Sequence, residues 1–155
     1  MPEAPLAGVR VLDMTRLLPG NFATVMLVEM GAEVIKIEAP EGDGTRWVAP
    51  HLPAGESGAF VQLNRGKTSR VIDLKAQEGR EEFSSLLATA DVLVDSFRPG
   101  VLDRLGFSRD ALQQLRPNLV HVTIDAYGSG GELEQVVGRL TTAGIGLLLD
   151  PGANG

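Results

Sequence analysis

The chain has 155 residues, of which 43% are hydrophobic and 22% charged, and its formal net charge at pH 7 is -6. These proportions are typical of one globular domain, and the acidic balance argues against general nucleic-acid binding, which relies on a basic face. With no cysteine and two histidines, neither disulfides nor a thiolate or histidine-rich metal site is expected.

The first forty residues predict a right-handed βαβ unit. An apolar strand at 9–14 leads into a polar turn at 19–21, a helix at 22–30 and a second strand at 33–38. Short β-branched runs joined by a helix of this length are typical of parallel strands. In such sheets ligands bind beyond the carboxyl ends of the strands, so the loops that follow the two strands are the first candidates for a site.

The middle of the chain begins with a long loop. Residues 39–57 contain three prolines and three glycines, and loops beyond about 12–15 residues are usually functional or disordered. A brief apolar segment at 58–63 and a basic turn at 64–67 follow. A third strand is predicted at 69–74, and then a helix at 77–89 that buries Phe83, Leu86 and Leu87 on one face.

The last part of the chain continues the alternation. A fourth strand is predicted at 92–97, helices at 101–105 and 109–115, a fifth strand at 119–126 and a helix at 132–149. Gly106 would end the first of these helices and Ser108 would cap the second. The predicted fold class is therefore α/β, an open, mostly parallel, Rossmann-like sheet of about five strands with helices on both faces, and residues 1–155 are interpreted as a single domain.

Positively charged residues follow several of the predicted strands. Arg16, Lys75 and Arg98 should converge, because the carboxyl ends of parallel strands share one edge of the sheet. Converging cations on an acidic protein suggest an anionic ligand that carries phosphates. The alternative for each single residue is an ordinary solvated surface charge. Further basic residues are Arg65, Lys67, Arg70 and Arg104.

Other residues at strand ends are candidates for a dinucleotide site or for catalysis. The turn after the first strand reads T-R-L-L-P-G-N-F-A-T and lacks the G-x-G-x-x-G pattern, which removes the strongest support for a nicotinamide-dinucleotide site. Glu38 nevertheless stands where a ribose-binding acid would be, with a solvent-facing carboxylate as the alternative. His121 is interpreted as a hydrogen-bonded packing residue of the fifth strand, and no complete active site is evident.

Five segments cover most of residues 5–131 in order and at natural spacing. They read PLAGVRVLDMTRLLPGNFAT, GAEVIKIEAPEGDGTR, LNRGKTSRVIDLKAQEGR, ADVLVDSFRPGVLDRLGF and LVHVTIDAYGSGG. Together they resemble the family III CoA-transferases, a family that includes formyl-CoA and carnitine-CoA transferases and the α-methylacyl-CoA racemases.

The resemblance implies that CoA or an acyl-CoA binds at the cationic edge, without a metal. Carried over by motif position, the contacts to CoA would be Leu17, Ala39, Ile72, Lys75, Ser96, Phe97, Arg98, Arg104 and Leu105. Lys75 and Arg104 would neutralise phosphates, and Phe97 and Leu105 would form apolar walls for adenine. Ser96 and Ala39 depart from the family, where Asn and a long side chain are frequent, which would weaken nucleotide affinity.

The resemblance places no catalytic residue in this sequence. Arg139 stands about where the racemases have a histidine base, and arginine stays protonated and cannot abstract a proton. The family's catalytic aspartate lies in a Gly-Asp segment that this sequence does not reach, and Asp150 comes too early and in another context. The resemblance therefore implies the CoA-binding N-terminal part of an enzyme that transfers CoA between carboxylic acids, inactive alone, without the family's small domain and C-terminal return segment.

Alternatives remain for function and partners. The chain would otherwise be a non-catalytic CoA-binding or interaction module, or a fragment of a racemase-like enzyme. Because subunits of the family interlock, the partners considered are a second copy or a family chain that supplies the missing part. The start has no signal-peptide pattern and no apolar run approaches the roughly 20 residues of a membrane span, so a cytoplasmic location is expected, with neither nucleic acid nor membrane as partner.

Overall fold

Five parallel strands form one open sheet in the computed structural model, which describes residues 3–125. The strands are β1 (Arg10–Met14), β2 (Glu33–Glu38), β3 (Thr68–Val71), β4 (Val92–Asp95) and β5 (Val120–Thr123). Their order across the sheet is β3-β2-β1-β4-β5, and all four pairings are parallel. The order reverses between β1 and β4, where a doubly wound sheet opens a crevice. The predicted fold class is confirmed.

Helices connect consecutive strands. They are α1 (Leu17–Glu29), α2 (Gly58–Leu63), α3 (Gln77–Leu87), α4 (Val101–Arg104) and α5 (Arg109–Leu115), with a 3₁₀ helix at Gly44–Trp47. The Ser108 side chain accepts a hydrogen bond from the Ala111 amide, so the predicted cap of α5 is confirmed. The predicted helix at 132–149 lies outside the described residues. No helix within residues 3–125 combines the length and apolarity needed to cross a membrane.

The sheet buries apolar side chains on both of its faces. On one face, Leu12 of β1 and Leu93 of β4 pack with Phe83 of α3, and α4 and α5 add further apolar side chains to this cluster. On the other, Val11 and Val34 pack against α1. The alternation of side chains along each strand produces these two layers, and helices therefore cover both faces as predicted.

The start of α1 differs from the prediction. The helix begins at Leu17, so residues 19–21 lie inside its first turn and the predicted polar turn there is wrong. Pro19 is tolerated because the amides of the first turn have no helical acceptor. Gly20 is needed at this place for another reason, since a Cβ atom there would lie 2.2 Å from the Cβ atom of Thr15.

The segment predicted as a long loop is organised by short helices. The 3₁₀ helix interrupts residues 39–57, and the apolar segment that follows is α2. The guanidinium of Arg46 lies 3.7 Å from the centre of the Phe60 ring, which joins the 3₁₀ helix to α2 by a cation–π contact. This contact gives the segment a defined place beside the end of β2.

Gly79 marks a close approach between α3 and the loop after β3. A Cβ atom at this position would lie 2.0 Å from the carbonyl oxygen of Asp73. Gly79→Ala is therefore expected to lower the free energy of unfolding by roughly 1–3 kcal/mol, although alanine favours a helix. Urea denaturation measures this, with the exposed Ser85→Ala of the same helix as control, expected within about 0.5 kcal/mol of wild type. Equal stability of the two variants would contradict the prediction.

Candidate functional site

A cleft of about 630 Å³ opens where the strand order reverses. Its walls are the loops that follow β1, β2, β3 and β4, together with Val101 and Leu105 at α4. The chain thus forms its cleft from carboxyl ends of parallel strands, which is where ligands bind in sheets of this type.

Seven of the nine residues carried over from the resemblance line this cleft. They are Ala39, Ile72, Lys75, Ser96, Phe97, Arg98 and Leu105. Leu17 and Arg104 are not among the lining residues. Leu17 begins α1 with a φ of 62°, a left-handed conformation that is uncommon for a residue with a side chain, and its side chain is 55% exposed.

The three cations that were expected to converge do so. Arg16, Lys75 and Arg98 all line the cleft, and none of them forms a salt bridge within residues 3–125. The Arg16 guanidinium lies 5.7 Å from the centre of the Phe97 ring, and its amide donates a hydrogen bond of 2.9 Å to Ser96 Oγ. Cations that no carboxylate neutralises within residues 3–125 favour a cleft for an anionic ligand.

Carboxylates also line the cleft. Glu41 is exposed, and Asp73 Oδ1 accepts a hydrogen bond from the Lys75 amide, which holds the loop after β3. Within residues 3–125 no group of three or more side chains is arranged to hold a metal ion.

The other predicted basic residues lie away from the cleft. Arg65 forms a salt bridge with Glu29 of α1 on the surface, and Lys67 is buried against Asp13. Their cluster therefore contributes no charge to the cleft, because Lys67 is neutralised inside the protein and Arg65 points to another face.

Glu38 is neither solvent-facing nor free for a ribose. It is 3% exposed, and both of its carboxylate oxygens accept hydrogen bonds of 2.7 Å from the Arg46 guanidinium. Ser69 Oγ and the Asp43 amide donate to the same carboxylate. Burial opposes ionisation, but these hydrogen bonds outweigh it and lower the pKa of Glu38 to about 2. The interpretation of Glu38 as a solvent-facing carboxylate is therefore wrong, and the hydrogen bonds that it already accepts weigh against a ribose-binding role.

Acid should remove the stabilisation that Glu38 and Asp43 supply. Burial opposes ionisation of Asp43 too, yet its hydrogen bonds from Lys36 and Thr45 lower its pKa to about 2. Because both folded pKa values lie below the ordinary ones of 4.5 and 3.8, this stability is present above about pH 4.5 and is lost as the pH falls towards 2. For Glu38 the loss is roughly 3 kcal/mol.

Urea denaturation between pH 7 and pH 2.5 tests this expectation. The Glu38→Gln variant should be less stable than wild type at pH 7, and its stability should fall less steeply below pH 4.5. Parallel profiles of the two proteins would contradict the assignment, because they would mean that Glu38 does not contribute to the acid response.

Two buried lysines lie beside the cleft on the α1 side of the sheet. Lys36 Nζ lies 2.9 Å from Asp43 Oδ2, and Lys67 Nζ lies 2.9 Å from Asp13 Oδ2; each lysine side chain is 1% exposed. Asn21 accepts a hydrogen bond from Lys36 Nζ at 2.6 Å. The pKa of Lys67 is lowered by burial, against the opposing charge of Asp13. Sequence reasoning missed this network, although a lysine within the apolar strand EVIKIE was a visible signal.

A second cavity of about 1010 Å³ lies between β4, β5, α4 and α5. His121 Nε2 is 2.6 Å from Asp95 Oδ2 at its wall, and Thr123 Oγ1 donates to the same oxygen at 3.1 Å. Asp95 Oδ1 accepts from the Phe97 amide at 2.8 Å. The hydrogen bond predicted for His121 is confirmed, but its interpretation as a packing residue is wrong, because His121 is exposed on β5, an edge strand of the sheet within residues 3–125.

Together the fold and the cleft define a doubly wound α/β protein with a cationic crevice at its topological switch point. Residues 6–144 match the model of the family described as "CoA-transferase family III". The chain belongs to this family, so the resemblance inferred from its five segments is confirmed.

Named relatives agree with this assignment. The chain is 42% identical over 132 residues to the probable fatty acyl-CoA transferase Rv3272 of Mycobacterium tuberculosis, covering 84% of this chain and 34% of that protein. It is 40% identical over 130 residues to formyl-CoA:oxalate CoA-transferase of Streptomyces coelicolor, covering 84% and 32%. The crystal structure of a CAIB/BAIF family protein from Brucella suis superposes with a TM-score of 0.83 at 35% identity, covering 90% of this chain and 38% of that one. The chain thus spans about a third of the length of the curated relatives it matches.

Proposed function

We propose that the chain forms the CoA-binding part of a family III CoA-transferase, with CoA or an acyl-CoA bound as substrate in the cleft at the switch point. The observation that carries the proposal is the set of three cations that line the cleft, Arg16, Lys75 and Arg98, none of which forms a salt bridge within residues 3–125. The ring of Phe97 lies in the same cleft, beneath the guanidinium of Arg16. CoA carries a pyrophosphate, a further phosphate and an adenine ring. The cations can form charge-assisted hydrogen bonds with the phosphates, and the Phe97 ring and Leu105 offer apolar surface for the adenine.

The names of the relatives support this substrate class. One is a probable fatty acyl-CoA transferase and another a formyl-CoA:oxalate CoA-transferase, so both act on CoA thioesters of carboxylic acids. These names favour a transferase over the racemase-like alternative. They differ in the acyl group, which the proposal therefore leaves open.

We further propose that the chain does not transfer CoA on its own. An acyl transfer through a carboxylate needs an accessible nucleophile. Glu38 and Asp43, the two buried carboxylates at the cleft, are held in ion pairs with Arg46 and Lys36. The accessible carboxylates of the cleft, Glu41 and Asp73, are exposed to solvent, where water would hydrolyse an acyl intermediate. The relatives are about three times longer, which leaves room for the catalytic part in a longer protein or in a second chain.

Calorimetric titration of the 155-residue chain with CoA and, side by side, with NAD tests the binding proposal. We expect saturable binding of CoA and at least about tenfold weaker binding of NAD, whose ribose would need the carboxylate of Glu38 that Arg46 occupies. Equal or tighter binding of NAD would contradict the proposal. In a transferase assay with formyl-CoA and oxalate, turnover above background by the chain alone would overturn the inactivity proposal.

A non-catalytic module that pairs with another chain is the second candidate. This candidate is supported by the length of the chain, which spans about a third of the relatives, so a second chain could supply the remainder. Size-exclusion chromatography and co-purification from the native source test it: a stable complex with a family chain favours pairing, and a monomer without such a partner contradicts it. We propose a cytoplasmic location, with which a chain that forms no disulfides is compatible.

A further inference from the structure

We propose that Lys36 is a positioning residue of the cleft, which fixes the spacing between the wall after β1 and the wall after β2. As far as CoA is the ligand, this inference rests on the function proposed above. Lys36 contacts both walls at once. Its ammonium is bonded to protein atoms, so we expect Lys36 to affect the ligand indirectly, through the position of the two loops.

The ammonium of Lys36 is fully used by protein acceptors. Its Nζ atom donates to the Thr15 carbonyl at 3.0 Å and to Asn21 Oδ1 at 2.6 Å, and it pairs with Asp43 Oδ2 at 2.9 Å. An ammonium has three protons, and these three acceptors come from the loop after β1, from α1 and from the loop after β2. The side-chain amide of Asn21, through Nδ2, also donates to Asp43 Oδ2 at 3.0 Å, so α1 and the loop after β2 are bonded directly as well as through Lys36.

Two of the three contacts are made to residues that themselves line the cleft, Thr15 and Asp43. Thr15 directly precedes Arg16, whose guanidinium lies over Phe97. On the other side, the Asp43 amide donates to Glu38 at 2.9 Å, and the Gly42 amide donates to the Ala39 carbonyl at 2.8 Å. The loop from 39 to 43 is therefore closed at both ends, and Lys36 holds its far end.

Lys67 offers a matched comparison inside the same chain. Its side chain is equally buried and is paired with Asp13 at the same distance of 2.9 Å. Its other acceptors are Thr24 Oγ1, Asn64 Oδ1 and the backbone carbonyl of Asn21, so it reaches Thr15 only indirectly, through Asp13 and Asn21. Lys67 does not line the cleft, and its hydrogen bonds within residues 3–125 reach no residue of the loop after β2. The two lysines share burial and charge, and they differ in whether they join the cleft walls.

The test compares Lys36→Met with Lys67→Met in the 155-residue chain, under conditions where both are folded. Calorimetry measures the affinity for CoA, and amide hydrogen exchange at Gly42 and Thr45 reports the loop without any ligand. For Lys36→Met we expect about tenfold or greater loss of CoA affinity and faster exchange at both amides relative to core amides. For Lys67→Met we expect affinity within about twofold of wild type and unchanged relative exchange, because a uniform loss of stability moves all amides together.

Two results would overturn the inference. One is unchanged relative exchange at Gly42 and Thr45 in Lys36→Met, and the other is an equal change in both variants, which would mean that Lys36 only stabilises the fold.

If wild type does not bind CoA, the proposed function fails, and the exchange measurement still decides the role of Lys36. If Lys36→Met does not fold, Lys36→Met with Asp43→Asn is compared with Lys67→Met with Asp13→Asn, since neither pair leaves a buried charge without a partner.

Discussion

Asp13→Ala is expected to lower the free energy of unfolding by about 3–5 kcal/mol, the cost of breaking a buried ion pair from one side. Asp13 is fully buried in β1, where it pairs with Lys67 Nζ and accepts a hydrogen bond of 2.6 Å from Thr24 Oγ1. Its other oxygen accepts from the amide and hydroxyl of Thr15. Without Asp13, the lowering of the Lys67 pKa by burial loses its main opposition, and only the smaller effect of the Asp43 charge is left against it. Urea denaturation at pH 7, followed by circular dichroism, measures the change.

An exposed ion pair of the same sheet supplies the control for Asp13. Arg10 and Glu33 stand opposite each other on β1 and β2, and their side chains are 37% and 54% exposed. Glu33→Ala should change the free energy of unfolding by no more than about 1 kcal/mol, because solvent screens the pair. If Asp13→Ala cost no more than Glu33→Ala, the buried network would not stabilise the fold as described.

Lys75→Ala with Arg98→Ala is expected to lower the affinity for CoA by at least roughly 100-fold, since two hydrogen bonds to charged groups are lost and each contributes about 1.5–3 kcal/mol. Both side chains are exposed at the cleft and form no salt bridge within the described part of the chain, so the free energy of unfolding should stay within about 0.5 kcal/mol of wild type. Calorimetric titration with CoA, combined with urea denaturation of the same variant, separates the two effects.

Arg65→Ala with Arg70→Ala removes the same charge outside the cleft. Arg65 pairs with Glu29 on the surface, and neither residue lines the cleft. This control should keep its CoA affinity within about threefold of wild type at physiological ionic strength, because neither side chain lines the cleft and salt weakens the attraction between exposed charges that are not in contact. An equal loss in both double variants would show that net charge, and not the cleft, governs binding.

The sheet and its site edge could be predicted because they depend on local pattern and on one rule of topology. Apolar β-branched runs around Val11 and Val34 identify buried strands. In a parallel sheet the carboxyl ends of all strands lie at one edge. Because Arg16, Lys75 and Arg98 each follow the carboxyl end of a strand, they lie at that edge, and the structure shows them there. The start of α1 was missed because Pro19 and Gly20 are typical of turns, and only the packed structure shows Thr15 against Gly20.

The buried network could not be predicted because its partners are distant in the sequence. A lysine within EVIKIE signals a buried charge, but not that Asp43 and Asn21 will neutralise and orient it. Asp13 and Lys67 are separated by 54 positions, and only the pairing of strands and loops brings them together. Glu38 was misinterpreted for the same reason, since its environment depends on Arg46 in a segment that was expected to be an irregular loop.

Mapping of amide chemical shifts during titration with CoA tests the central claim most directly, because it locates the ligand on the chain. We expect saturable shifts to concentrate at Ala39, Lys75 and Phe97 and at their neighbours along the cleft walls. The surface around Arg65 should remain unchanged. No saturable shift with CoA, or shifts confined to the cavity beside His121, would contradict the assignment of the cleft as the CoA site.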